Sequence, residues 1–358
     1  MTDKMVGNKG EWSELYAFLK LLSQGQVYAA DENVERINDI YYPILRIIRE
    51  EYEGERFDYI IGDTDIFIEA QNKRIMTVSK KELGEKASYL LKQISEHSNS
   101  FEIEEIAEYV NGIRVTKLKA PSKDTTDILM QIQDINTGYR NNVGFSIKSE
   151  IGHPPTLLNA GETTNFIYKI DGLTRVQMED INSIESSNKI IDRMRKIKEY
   201  GGRLTYSGIS HKGFRRNLIM IDSMMPELMG NMLLYYYDSN IKDCKSLVDI
   251  LEAKDPLNYG EKVIYSYKIK KFLCSCALGM KPAKKWDGID EANGGYIIVK
   301  SDGEILAYHI YNRNMFEQYL FDNTVFERAS TTRHKYMTIY EENGEMFIKL
   351  NLQIRFSR

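Results

Sequence analysis

The chain has 358 residues, with 52 acidic and 48 basic side chains and a formal net charge of −4. That length can bury a large core and predicts two domains, while the mildly acidic balance argues against a nonspecific polyanion binder. No apolar run reaches the length of a membrane span, and Cys244, Cys274 and Cys276 are too few for a disulfide framework and lack partners for a zinc site, so they read as reduced thiols.

The opening MTDKMVGNKGEW holds no apolar signal core, which predicts a cytoplasmic protein. EWSELYAFLKLL (11–22) places Trp12, Leu15, Leu19 and Leu22 on one face of a helix. ERINDIYYPILRIIREEY (35–52) reads as a second helix, kinked at Pro43. RFDYIIG and KRIMTVS read as strands, KKELGEKASYLLKQI and IEEIAEYVNGI as helices. TTDILMQIQD (125–134) and NVGFSIKSE (142–150) are short, β-rich and separated by a turn segment containing NTGYRN, which predicts a hairpin; TNFIYKI (164–170) is expected to add a third strand. From about Asn188 to Ala277 the pattern is mainly helical, with RLTYSGI as a strand. Beyond Gly294, YIIVKSDGEILAYHIY predicts two strands around Asp302-Gly303, MFEQYLF a short helix, and KYMTIYEENGEMFIKLNLQIRF a closing hairpin around Asn343-Gly344. The fold class expected is α/β (mixed α+β), with the first helix packed on a sheet. A boundary near residue 180 divides a mixed 1–180 from a helical and mixed α/β 181–358.

Charge is unevenly spread. Lys262 to Lys285 contains seven lysines and no acid, ending in Lys284 and Lys285. KIIDRMRKIKEYGGR (189–203) and HKGFRR (211–216), the latter with Arg215 and Arg216, are also basic. Such stretches suit phosphate contacts, although a solvated helix face is the plainer reading of any one of them.

The predicted hairpin carries the chemistry. On a strand Ser146 and Lys148 share one face and Phe145 and Ile147 the other, so the apolar pair anchors the strand while the polar pair lines a cleft. Asp127 opens the preceding strand, and antiparallel pairing carries it close to Lys148. Phosphodiester hydrolysis needs such a set: oxygen ligands for a divalent cation, an activated water, and positive charge for the developing phosphorane. Asp127 is the main candidate metal ligand. Asp134 competes with it, but Asp134 abuts the turn and suits a capping role. Lys148 would orient or deprotonate the attacking water. Another carboxylate can come from the first helix. At 100° per residue Glu11 falls in the sector of Leu15, Phe18 and Leu22, with Glu14 at its flank. Either can reach the site; otherwise Glu11 complements the helix N-terminus and Glu14 stays in solvent.

Four segments, GNKGEWSELYAFLKLL, GFSIKSEIGHPPTLLNAGETTNFIYKI, ALGMKPAKKWDGIDEANGGYIIVKSDGEILAYHIYNR and STTRHKYMTIYEENGEMFIKLNLQIRF, together resemble the HpaII restriction endonuclease family, in order and over nearly the whole chain. The resemblance implies a restriction-endonuclease-like PD-(D/E)xK core with additional helical and β-hairpin DNA-recognition elements. It also implies Mg2+ dependence, a double-stranded DNA substrate with a short CCGG-like palindrome, and a companion DNA methyltransferase. Within the superfamily pattern Asp127 stands for the acid of the first hairpin strand, Ser146 for the second acid, Lys148 for the lysine, and Glu11 or Glu14 for the carboxylate of the first helix. Ser146 departs from the pattern, because a hydroxyl is a weaker magnesium ligand than a carboxylate. The site then leans on the helix carboxylate and on backbone carbonyls. Base edges favour Arg, Asn and similar polar residues. That singles out Asn159, Thr163, Thr164 and Asn165 in one cluster, and Asn312, Arg313, Arg333 and His334 in another, against the plain reading of satisfied turn or surface residues. A palindromic target favours a twofold homodimer. Two other functions compete: a repair or modification-dependent nuclease on the same core, and a DNA-binding protein whose site has decayed. Ser146 keeps the second open, while Asp127, Lys148 and a helix glutamate argue against it.

Overall fold

The first helix, Lys9–Gln24, begins where Asn8 leaves extended backbone. The Glu11 N–H donates to Asn8 Oδ1 and the Asn8 N–H donates back to Glu11 Oε2, a capping box. It ends at Gly25, whose φ of 71° suits a residue without Cβ. The computed structural model describes residues 4–52, 55–119, 126–135 and 138–357. Trp12, Leu15, Leu19 and Leu22 are buried as their spacing predicts, and so are Tyr16, Phe18 and Leu21. The burial exceeds one stripe because the helix packs against both the sheet and a second helix, Lys80–Glu96.

The sheet beneath it has nine strands. Their spatial order is Gln26–Ala30, Ile305–His309, Gly295–Val299, Arg140–Ser149, Ile128–Gln133, Arg36–Tyr52, Glu55–Ile61, Asp65–Ala70 and Lys73–Ser79. Neighbours run antiparallel except where Gly295–Val299 lies parallel to Arg140–Ser149 and Ile305–His309 lies parallel to Gln26–Ala30. Gly295–Val299 is buried along its whole length, and its unbroken apolar reading GYIIV is that of a strand covered on both faces. Among the described residues no helix is long and apolar enough to cross a membrane.

The segment 35–52 corrects the sequence reading, since Arg36–Tyr52 is a strand and not a kinked helix. Ile37, Tyr41, Ile44 and Ile48 recur every three or four residues, which mimics a helix. The register against its neighbours slips between Tyr28 and Ala29, between Ile44 and Arg46, and between Glu50 and Tyr52. Each irregularity resets the alternation of faces, so a bulged strand loses its period of two. Pro43 stands in the strand opposite Gln26 rather than kinking a helix.

The chain divides into two compact units, Met1–Pro155 with Asp290–Tyr319, and Thr156–Ile289 with Leu320–Ser357. The boundary expected near residue 180 is therefore displaced, and the Asp302-Gly303 hairpin returns to the first unit. TNFIYKI is also corrected. It forms Asn165–Asp171, which pairs with Arg203–Ile209 and Glu345–Asn351 in a separate four-stranded sheet, not with the Asp127–Lys148 hairpin. A local pattern identifies a strand but not its partner. The remainder of the second unit is largely helical, as expected, and its three cysteines are free and buried. Thr125, Asn136 and Thr137 of the predicted hairpin lie outside the described residues.

Candidate active site

Asp127 enters the hairpin immediately before Ile128–Gln133, and its N–H donates to Phe145 O at 2.9 Å. Ile128 pairs with Phe145, so Asp127 falls opposite Ser146. Gly144 permits this approach: a Cβ there would lie 2.6 Å from Thr126 Cγ2. Asp127 Oδ2 accepts two hydrogen bonds, from Ser146 Oγ at 3.0 Å and from the Ile147 N–H at 2.8 Å. Ser146 is 1% exposed, so its hydroxyl is committed to orienting the carboxylate. Asp127 Oδ1 faces Lys119 Nζ at 4.0 Å.

Glu14, on the second turn of the first helix, completes the cluster. Its Oε1 lies 3.6 Å from the same Lys119 Nζ, while its Oε2 is buried with no hydrogen-bond partner. Burial, and then the nearby charge of Asp127, push the Glu14 carboxyl up to about 7, against the pull of Lys119 and Lys148. The helix is held in register with the strand Arg140–Ser149, because Ser149 Oγ donates to Ser13 Oγ at 3.0 Å.

Lys148 completes the set. Its Nζ sits 5.3 Å from the centre of the Tyr296 ring, on the parallel neighbour strand. Burial pushes its ammonium below the usual lysine range, opposed by Asp127 and Glu14. A cavity of about 870 Å³ opens beside these groups, with Glu14, Lys148, Lys9, His97 and His153 among its lining. Among the described residues no group of three or more His, Cys, Asp or Glu side chains gathers as a metal cage. Two carboxylates, one with an orphaned buried oxygen, are nonetheless a donor set that suits a hard cation completing its shell with water and phosphate oxygens.

Paired carboxylates beside a lysine whose charge is disfavoured can serve metal-assisted hydrolysis of a phosphodiester. The model of the HpaII restriction endonuclease family matches residues 8–356, nearly the whole chain. The chain belongs to the HpaII restriction endonuclease family. It is 40% identical to the type II restriction enzyme HpaII of Haemophilus parainfluenzae, over 99% of this chain and 100% of that one. No solved structure matches it. As the resemblance implied, the chain is thus a restriction endonuclease by family, a DNA-cutting hydrolase.

Within this member of the HpaII family the predicted site residues do not all gather. Glu14 joins Asp127, but Glu11 spends its carboxylate on the capping box. The helical wheel leaned toward Glu11 because it equated the apolar sector with the direction of the hairpin, whereas the helix is buried on more than one side. Asp134 is corrected as a metal ligand. It sits at the far end of the strand, roughly 20 Å from Asp127 at about 3.3 Å per residue. There its N–H donates to Tyr139 O and its carbonyl accepts from Gly138, closing the turn.

Among the proposed base readers, Thr164 and Asn165 are corrected outright, being 0% and 1% exposed. Thr164 Oγ1 donates to Gly161 O, and Asn165 Nδ2 donates to His334 O while its Oδ1 accepts from Asn351 Nδ2. Asn159 is exposed and Thr163 half-buried. Asn312 and Arg313 belong to the first unit, where Arg313 pairs with Glu317 at 2.8 Å and Asn312 donates weakly to Tyr42 Oη at 3.4 Å. Arg333 and His334 belong to the second unit, where Arg333 is exposed.

Two basic stretches distant in sequence converge within the second unit. Asn217, on the helix Lys212–Ile221, donates to Lys281 O and Lys284 O, and Arg216 donates to Trp286 O at 2.6 Å. Arg215, Lys284 and Lys285 are left exposed around that junction, whereas Arg216 is committed to the backbone. In the third basic run Arg193 is 3% exposed and donates to Met337 O and Asn182 O, a structural pin. Sequence reasoning missed Lys119 and Tyr296. Lys119 lies in no motif and Tyr296 reads only as part of an apolar strand, and the folded sheet is what brings them to the hairpin.

Proposed function

We propose that this chain is a type II restriction endonuclease that hydrolyses double-stranded DNA with Mg2+ at a short, CCGG-like palindrome. The observation that carries the reading is the convergence of Glu14 and Asp127, with Glu14 Oε2 buried and unpartnered. Two neighbouring carboxylates call for a cation, and Mg2+ accepts one or two carboxylates while keeping places for water and phosphate. Glu14 and the Oδ1 of Asp127 would hold it. When bound, the ion supplies Lewis-acid polarisation of the phosphoryl group and acidifies a bound water.

The chain's own groups do the remainder. Ser146 and the Ile147 N–H fix the Asp127 carboxylate, so Ser146 is a positioning residue and not a ligand. Lys148, whose charge burial disfavours against the pull of Asp127 and Glu14, accepts the proton of the attacking water as the water oxygen bonds to phosphorus and the bond to the leaving oxygen breaks. The ammonium so formed faces the negative charge that develops on the phosphoryl oxygens. Arg215, Lys284 and Lys285 supply salt-sensitive phosphate contacts, with Asn159, Thr163, Arg333 and His334 as candidate base or backbone contacts. A palindromic target pairs naturally with a homodimer. A methyltransferase specific for the same site, and a cytoplasmic setting, complete the restriction system.

The test is digestion of unmethylated phage DNA by the purified chain with magnesium. Discrete fragments are expected, with cleavage lost in Asp127→Asn and Glu14→Gln. Fragments that appear only from modified DNA, or gel shifts without cutting, would overturn the reading in favour of a modification-dependent nuclease or a decayed binder.

A further inference from the structure

Among the described residues Lys119 is the cation in ion-pair contact with both acids, and its placement is built rather than incidental. The chain leading to it is nailed down. Thr116 donates through both its N–H and its Oγ1 to Glu51 Oε2, at 2.9 and 2.7 Å. Glu51 is fully buried and pairs with Arg49, which in turn donates to Lys117 O. Val115 and Leu118 are buried, and a Cβ at Gly7 would collide with Leu118 Cδ1. The root of Lys119 is therefore fixed against the strand Arg36–Tyr52 and the start of the first helix. Its side chain, by contrast, is 54% exposed and free to turn toward water.

We infer that Lys119 is a resident counter-ion which holds Glu14 and Asp127 together in the metal-free enzyme and must be displaced when the divalent cation binds, so that it sets the metal affinity of the site. The geometry supports displacement. Lys119 Nζ contacts one oxygen of each acid, Glu14 Oε1 and Asp127 Oδ1, so a cation shared by the two acids competes with it for the same charges. An ammonium and a divalent ion within about 4 Å of one another repel strongly in a partly buried site. Because the long stem pivots on an anchored backbone, the exchange requires a rotamer change and no rearrangement of the sheet. The site thereby avoids two costs in turn: unpaired carboxylates when the metal is absent, and excess positive charge when it is present.

This inference rests on the proposed metal reading, and Mn2+ binding read by electron paramagnetic resonance of the free ion, without DNA, separates the two. Lys119→Gln should bind Mn2+ about tenfold more tightly than the parent, the change expected from removing one competing charge at this range. Lys119→Arg should bind as the parent does, and Asp127→Asn should lose the binding in either background. Metal-free Lys119→Gln should also unfold at a lower temperature than the parent, with a larger upward shift on adding Mg2+. If Asp127→Asn abolishes Mn2+ binding while Lys119→Gln binds no more tightly than the parent, the counter-ion role is overturned and the metal reading stands. If Mn2+ binding is indifferent to Asp127→Asn, the metal reading fails and the counter-ion role with it.

Discussion

Glu51 and Glu14 are both carboxylates largely withdrawn from water within the same unit, yet their surroundings leave very different amounts undone. Glu51 meets Arg49, the Thr116 N–H and the Thr116 hydroxyl, so charge and lone pairs are answered by the chain itself. Glu14 meets one exposed lysine at 3.6 Å and a second carboxylate, and one of its oxygens meets nothing. A buried ionic group with all its partners is architecture; one left short of partners is a place where something arrives. The contrast also has a direction, since the satisfied pair holds the backbone from which Lys119 reaches the unsatisfied one.

The comparison is sharpened most by Asp127→Asn. Losing an anionic ligand while keeping the shape should lower magnesium-supported cleavage by about three to four orders of magnitude in single-turnover assays, with the fold intact. Glu51→Ala should do the converse. It strands Arg49 and should cost about 3–5 kcal/mol in urea denaturation, with or without magnesium, while folded molecules still cut. A variant as stable as the parent would erase the distinction between the two glutamates. Glu14→Gln follows. The folded carboxyl titrates at about 7, above its ordinary value of 4.5, so the folded state holds its proton more tightly than the unfolded chain and stability falls as pH rises through that window. At pH 8 with chelator, Glu14→Gln should therefore be more stable than the parent by about 3 kcal/mol, with no difference near pH 4.5 and with cleavage lost. Equal stability at pH 8 would mean that Glu14 is not under charge stress. The smallest effect belongs to Asp134→Asn, which should leave cleavage within about twofold and stability within about 1 kcal/mol. A loss comparable to that of Asp127→Asn would return Asp134 to the site.

What the sequence made legible follows the range of each interaction. The hairpin of Asp127, Ser146 and Lys148 was readable because alternation and a turn are local, and the first helix because its apolar spacing lies within sixteen residues. Arg36–Tyr52 was misread because three register slips disguised its alternation. Thr164 and Asn165 looked like surface polar residues because their partners, Asn351 and His334, are remote in sequence. The choice between Glu11 and Glu14 depended on the direction of packing, which a wheel does not contain. Lys119 had no signal at all, since its position depends on Glu51 reaching Thr116 across 65 residues.

The strand bearing Ser146 and Lys148 takes its parallel neighbour, Gly295–Val299, from chain made some 150 residues later, after nearly all the helices of the second unit. During synthesis the acid, the serine and the lysine therefore emerge well before the strand that flanks them. A chain stopped at Ile289 should leave that strand edge open and self-associate, an outcome that sedimentation would reveal, and stay monomeric only if the edge finds another cover. For an enzyme that cuts DNA, such an order of assembly is a form of timing. The residues proposed for cutting are made early, but the platform that would aim them is completed only when the Ile305–His309 strand has followed, so on that proposal a nascent or truncated chain carries the chemistry without the means to deliver it.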